Sequence, residues 1–98
     1  MFIDIVKIAL RVTSNVYNDE INLLMESALK DLAIADVNVP DSIANLETAN
    51  ASIKQAVITY CKCNFDTREN YEELKKSYDE QKAQLKTNSN NHTWYQNS

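Results

Sequence analysis

The chain has 98 residues, with ten Lys and Arg against fourteen Asp and Glu for a formal net charge of -4, and that length allows one domain with a modest core. Glycine is absent and proline occurs once, at Pro40, which excludes phosphate-cradling glycine loops and leaves tight hairpins without their favoured residue. The negative balance is the wrong sign for a protein that grips nucleic acid by its phosphates.

Leu, Ile, Val and Phe make up about a quarter of the chain, enough to fold, although a domain this small leaves much of its surface unburied and gains from a partner surface. Asp4 stands where an export signal would be basic, and the apolar run Val6–Leu10 is broken by Lys7, so neither an export signal nor a membrane span is expected.

The first element reads as a short helix from Phe2 to Arg11, with Phe2, Ile5, Val6, Ala9 and Leu10 at helical spacing. Ile8, Leu10 and Val12 also alternate as a strand would. Thr13, Ser14 and Asn15 compete with the backbone for hydrogen bonds and mark a turn. Asn18 is placed to cap the next helix, and Asp19 and Glu20 sit in its first turn, where carboxylates suit the helix dipole. Behind them Ile21, Leu24, Met25, Ala28, Leu29 and Leu32 step by three and four along one face.

Residues 35–49 hold the proline, scattered Asp and Asn, and no helical period, which predicts a long connection closed by a helical turn around Ile43–Leu46. Asn50 caps a third helix whose face carries Ile53, Val57, Tyr60, Cys61 and Phe65, with Ala56 admitting a close neighbour. Asp66 with Glu69, or Thr67, caps a fourth helix from about Arg68 to Lys86, antiparallel to the third across so short a link. Its apolar stripe of Tyr71, Leu74, Tyr78 and Leu85 is narrow, and charge pairs such as Lys75 with Asp79 flank it. A thin stripe suits a peripheral helix or one that packs on another subunit, so Tyr71, Leu74 and Tyr78 are candidate subunit-interface residues.

From Thr87 to Ser98 there is no aliphatic residue, and a flexible polar tail is expected. Its Trp94 and Tyr95 are candidate docking anchors, since these residue types dominate interface energies. The whole predicts an all-α bundle of about four helices over residues 1–86, with a long middle connection and a tail over 87–98.

No constellation for chemistry emerges. Cys61 and Cys63, two apart on a helix, point to opposite sides, which opposes both a disulfide and shared metal ligation. They read as thiols at core or subsurface positions in a reducing cytoplasm, and a thiol enzyme would need a base that the lone His92, in the polar tail, does not provide. No catalytic, cofactor or metal residue is assigned.

Three segments resemble one family. They are Lys7-Ile8-Ala9-Leu10-Arg11-Val12-Thr13 followed by Asp19-Glu20-Ile21, then Ile53-Lys54-Gln55-Ala56-Val57-Ile58-Thr59-Tyr60 through Lys62 to Asn64-Phe65, then the run from Tyr71 to Lys82 closed by Leu85. In order and spacing they look like the small head-tail connector proteins of tailed bacteriophages, the gp6-like or DNA-packaging connectors. The resemblance implies an all-α structural protein of the virion, assembled in the host bacterial cytoplasm, with no enzymatic activity, cofactor or membrane contact. It implies a homo-oligomeric ring, commonly a dodecamer, docked beneath the portal protein, through which DNA passes without specific binding and on which a stopper or tail-completion protein lands. Family members often carry glycine after the second helix and after the position of Phe65, where this chain has Ala35 and Asp66. The competing reading from the residues alone is a small helical adaptor that binds a single partner.

Overall fold

The computed structural model describes residues 2–65 and 70–95, with side chains described through residue 87. The elements are α1 (Phe2–Leu10), α2 (Asn18–Ile34), α3 (Ala51–Phe65) and α4 (Tyr71–Tyr95), with 3-10 turns at Asn15–Tyr17 and Ile43–Thr48 and no strand among the described residues. The fold is the small all-α bundle that the helical periods predict. Asp66, Thr67 and Glu69, the predicted caps of the fourth helix, lie outside the described residues.

α1 turns most of its predicted stripe inward, with Phe2 and Val6 buried and Ala9 and Leu10 half-buried, but not Ile5. Ile5 is 47% exposed, and Lys7 takes the neighbouring inward position. Lysine is tolerated there because its apolar stem packs while the ammonium reaches a partner. Its Nζ donates to Asn15 Oδ1 at 2.7 Å, tying the helix to the turn that follows.

Between α1 and α2 the cap is also displaced. Ser14 caps the 3-10 turn, its Oγ accepting from the Val16 amide at 3.2 Å, while the N-cap of α2 itself is Tyr17, which makes no side-chain capping bond. Asn18 is then the first residue of α2, one place inside the helix, and its Oδ1 is buried without a hydrogen-bond partner. The extra turn removes the extended backbone that an Asn18 cap would need. From there the predicted stripe holds, with Ile21, Met25, Ala28, Leu29 and Leu32 buried and Leu24 half-buried.

Both α1 and α2 end in a left-handed residue that is not glycine, Arg11 with φ 61° and Asp36 with φ 67°. The hydrogen bonds at each end form the same pair. Arg11 N donates to Ile8 O at 3.1 Å and Val12 N to Lys7 O at 2.9 Å, while Asp36 N donates to Ala33 O and Val37 N to Leu32 O, both at 3.0 Å. These are two Schellman motifs, and the second is sealed by an apolar contact position: Val37, just past the end, is buried, as is Leu32 inside it. The left-handed position after α2 falls on Asp36, one residue beyond Ala35. Aspartate tolerates that conformation better than most residues, and arginine bears more of its cost.

The connection from Val37 to Asn50 crosses the bundle surface, and the 3-10 turn Ile43–Thr48 drives Leu46 fully into the core. Asn50 caps α3 as predicted, its Oδ1 accepting from Ile53 N at 2.9 Å. α3 touches α1, α2 and α4 and is buried on several sides, with Ile53, Ala56, Val57, Thr59, Cys61 and Cys63 all inward. The buried Thr59 hydroxyl donates to its own helix, at Gln55 O, 3.0 Å away, so no buried donor is stranded.

α4 packs on α3 through Tyr78 and Leu85, with Tyr71 and Leu74 half-buried. The apolar stripe ends near Lys86, where the sequence pattern stops the helix, yet α4 continues to Tyr95. No glycine or proline stands between Tyr71 and Tyr95 to break it, so local hydrogen bonds carry it on.

Two stability outcomes follow from this packing. Replacing Arg11 by glycine should raise stability by about 0.5–1 kcal/mol, because glycine removes the left-handed penalty and loses part of that gain to unfolded-state entropy. Leu32→Ala should cost about 2–5 kcal/mol through the cavity it leaves. Urea unfolding of the two variants checks both; an unchanged Arg11→Gly midpoint would show that the α1 end carries no strain.

Candidate assembly surface

A polar cluster joins α2 to α4. The Tyr78 hydroxyl donates to Asp31 Oδ2 at 2.6 Å, and Lys82 Nζ donates to the same oxygen at 3.1 Å. Lys82 also lies 5.2 Å from the centre of the Tyr78 ring, a cation–π distance, and the ring meets Tyr60 of α3 edge-on at 5.3 Å. The spacing of Tyr78 and Lys82, one turn apart on α4, puts both on one carboxylate.

The electrostatics follow from that geometry. Burial pushes the Asp31 carboxyl up, but the hydrogen bonds from Tyr78 and Lys82 and the lysine charges outweigh it, so the group sits below its ordinary range. Burial raises the Tyr78 phenol, and the bond to Asp31 raises it further. Tyr60 is raised by burial and then by the Asp31 charge. These are groups tuned to hold two helices together: the phenol stays protonated to donate and the carboxylate stays charged to accept.

The cysteines are interior residues. Both are free and buried, and burial alone pushes the Cys61 thiol up to about 12. Burial also raises Cys63. A thiol so disfavoured as thiolate is a poor nucleophile. Among the described residues no group of three His, Cys, Asp or Glu is arranged to hold a metal ion, and no helix is long and apolar enough to cross a membrane.

The surface carries its signal at one end of the bundle. The end of α1, the first 3-10 turn, the end of α3 and the start of α4 enclose an open concavity of about 820 Å³, whose walls include Leu10, Tyr17, Phe65 and Leu74. The Tyr17 and Phe65 rings meet edge-on at 5.5 Å and form part of its wall. Arg11 and Lys62 line it as cations and Glu20 as an anion. Ile8 and Val16, beside it in sequence, are 76% and 78% exposed. Of the strongly exposed large apolar residues, Ile5, Ile8, Val16 and Tyr17 all belong to this N-terminal region, while Leu23 and Ile34 lie along α2. The lining of the concavity is mixed, with Thr13, Ser14 and Asn70 among its polar members.

The predicted interface residues are therefore divided. Leu74 lines the concavity and Tyr71 is half-buried nearby on α4. Tyr78, only 5% exposed, is instead an interior residue of its own subunit, because its ring and hydroxyl are both engaged by Tyr60, Asp31 and Lys82. Trp94 and Tyr95 fall in the last turn of α4, and their side chains lie outside the described residues. The exposure of Ile5 was not legible in sequence, because its spacing puts it on the apolar stripe of α1, whereas Ile8 lies off that stripe and Val16 in the turn.

The described residues form a small helical bundle with buried cysteines and a polar contact between α2 and α4. The family of phage connector proteins matches residues 2–92, nearly the whole chain, and the chain belongs to that family. It is thus a structural component of the phage particle, a head-tail connector, and its family is not one of enzymes. No curated protein and no solved structure matches the chain.

The interior groups set a pH window. Asp31, lowered in the folded state, contributes stability that is present above the ordinary carboxylate range and lost as pH falls through its folded value. Tyr78 and Cys61, raised in the folded state, contribute stability that is full below their ordinary values and lost as pH climbs past them. Melting temperature should fall below about pH 4 and again above about pH 9, the ordinary ranges of these groups. Tyr78→Phe should cost about 0.5–1.5 kcal/mol and make the acid limb shallower. A variant whose acid limb matches the wild type would show that Asp31 is held by Lys82 alone. An aromatic disulfide reagent should label neither cysteine at a useful rate until the chain unfolds, and rapid native labelling would contradict the interior placement.

Proposed function

We propose that this connector works as a subunit of a closed ring, of the gp6-like kind and twelve copies in the virion, seated beneath the portal protein at one vertex of the head. The ring extends the DNA channel and offers a landing surface to a stopper or tail-completion protein. The observation that carries this reading is the match to the connector family over residues 2–92. The subunit assembles in the host bacterial cytoplasm and takes no cofactor.

Two physical features support it. A net charge of -4 lets a subunit line a DNA conduit without trapping the passing phosphates. The concavity formed by the ends of α1 and α3 and the start of α4, with Leu74 on its wall and Tyr71 on the same helix, supplies a patch for a neighbouring copy. In this reading Tyr78 acts from within, fixing the position of α4 and hence of Tyr71 and Leu74. Residues 1–86 form the ring body, and the extension of α4 beyond it carries Trp94 and Tyr95, which anchor the subunit to its neighbour or to portal when the ring forms.

Electron microscopy of the purified chain, alone and mixed with purified portal, tests the reading. Rings seated on portal are expected, with monomers or concentration-dependent oligomers in the free chain, because many weak contacts act together once symmetry presents them. A one-to-one complex with a single partner and no ring would replace it with an adaptor. Removing residues 87–98 should leave the melting temperature of the body unchanged and weaken docking to portal. Undiminished docking would remove Trp94 and Tyr95 from the anchoring role.

A further inference from the structure

The ring reading requires two different patches on each copy, one to give and one to receive, since a contact of a patch with itself closes a dimer and stops. The first patch is the concavity. Its walls are Leu10, Tyr17, Phe65 and Leu74, and Arg11 and Lys62 line it as cations. Glu20, in the first turn of α2, lines it too, so the concavity sits at the N-terminal end of that helix.

The second patch lies at the other end of the same helix. Ile34, the last residue of α2, is 77% exposed. Just past it the Schellman motif holds the exposed Asp36 at φ 67°, which fixes a carboxylate next to the isoleucine on a short, rigid turn. Lys30, exposed one turn before Ile34, shares its side of the helix. At about 1.5 Å per residue, α2 holds Glu20 and Ile34 roughly 21 Å apart, at opposite ends of the helix.

The two patches are complementary in shape class and in charge. One is a hollow with apolar walls at Leu10, Tyr17, Phe65 and Leu74 among polar residues, with two cations and an anion; the other is the exposed Ile34 flanked by an anion and a cation. Resting on the ring reading above, we infer that the concavity receives the C-terminal end of α2 from a second copy of this chain. Ile34 enters between Leu10, Tyr17, Phe65 and Leu74, Asp36 meets Arg11 and Lys62, and Lys30 meets Glu20. Because donor and receiver are at opposite ends, the contact is heterologous and propagates around a ring. The apolar insertion supplies most of the attraction, and the charges set register and exclude reversed pairing.

Half-disabled full-length chains test this. A receiver-disabled chain carries Arg11→Glu and Lys62→Glu, and a donor-disabled chain carries Ile34→Asp. All three sites are exposed, so circular dichroism and melting should match wild type, and a variant that fails this control is replaced by Lys62→Glu alone or by Ile34→Ser. Sedimentation should show each variant alone associating at least tenfold more weakly than wild type. An equimolar mixture should regain association and stop at a dimer, because only one donor–receiver pair remains. In the same mixture, amide resonances of the isotope-labelled donor-disabled chain should shift at Tyr17, Phe65 and Leu74.

Several results overturn the inference. Variants that associate as wild type does, or a mixture that regains nothing, would mean that copies meet through other surfaces, which leaves the ring reading standing. Concavity shifts that persist when the added chain also lacks Ile34 would mean that another segment fills the hollow. A wild-type chain with no concavity shifts at millimolar concentration rejects the contact as well, and the portal mixtures described above then report independently on whether a ring forms.

Discussion

The bundle is organised by the need to bury α3 on several sides at once. A helix in that position cannot show a strong amphipathic stripe, and α3 does not: its inward residues, Ile53, Ala56, Val57, Thr59, Cys61 and Cys63, run around much of its circumference. Small side chains are what make this possible, since Ala56 and Cys61, both fully buried, let neighbouring helices approach closely. The cysteines are thus explained by packing, and their raised pKa is a consequence of the same burial. α1, α2 and α4 each need only one apolar face because each packs on this shared centre.

With the centre apolar, the outer helices still need to be held in register, and polar contacts do that at two points. Lys7 ties α1 to the turn before α2 through Asn15, and Asp31 ties α2 to α4 through Tyr78 and Lys82. A single carboxylate oxygen that accepts from a phenol and an ammonium is satisfied only in one arrangement of the two helices. That makes the cluster a source of specificity more than of net stability, since partly exposed ion pairs contribute little energy. The position of α4, and with it of Leu74 on the concavity wall, depends on this clasp.

The sequence revealed the helices more clearly than it revealed their outward faces. The stripe of α2, the cap at Asn50 and the turn that buries Leu46 follow from local spacing and side-chain chemistry, which is why they could be read directly. The inward Lys7 and outward Ile5 could not, because the rotation of α1 is decided by what α3 and the second 3-10 turn offer it. Asn18 does not cap α2 because a 3-10 turn, itself capped by Ser14, runs up to Tyr17 at the N-cap, and nothing in the order of the residues announces that turn. Likewise Tyr78 has the spacing of an interface residue and the surroundings of a core residue, a difference made by Asp31, 47 positions away in sequence. The family resemblance was legible because it rests on order and spacing over nearly the whole chain, and the match over residues 2–92 rests on the same breadth.

The absence of glycine bears on how such a subunit can be both rigid and adhesive. Two helices end in left-handed residues that carry side chains, and each side chain stands at a surface the fold leaves exposed: Arg11 lines the concavity and Asp36 follows the exposed Ile34. Glycine would relieve the backbone at both places but would remove a charge from each end of the molecule. A protein that must stay dispersed until its partners arrive cannot gather its apolar surface into one large patch without risking indiscriminate association. On the ring reading proposed above, charges of opposite sign on fixed turns at Arg11 and Asp36 would let contacts between free copies stay weak and strengthen only when symmetry repeats them. The left-handed backbone at Arg11 and Asp36 would then be the cost of holding those charges in place.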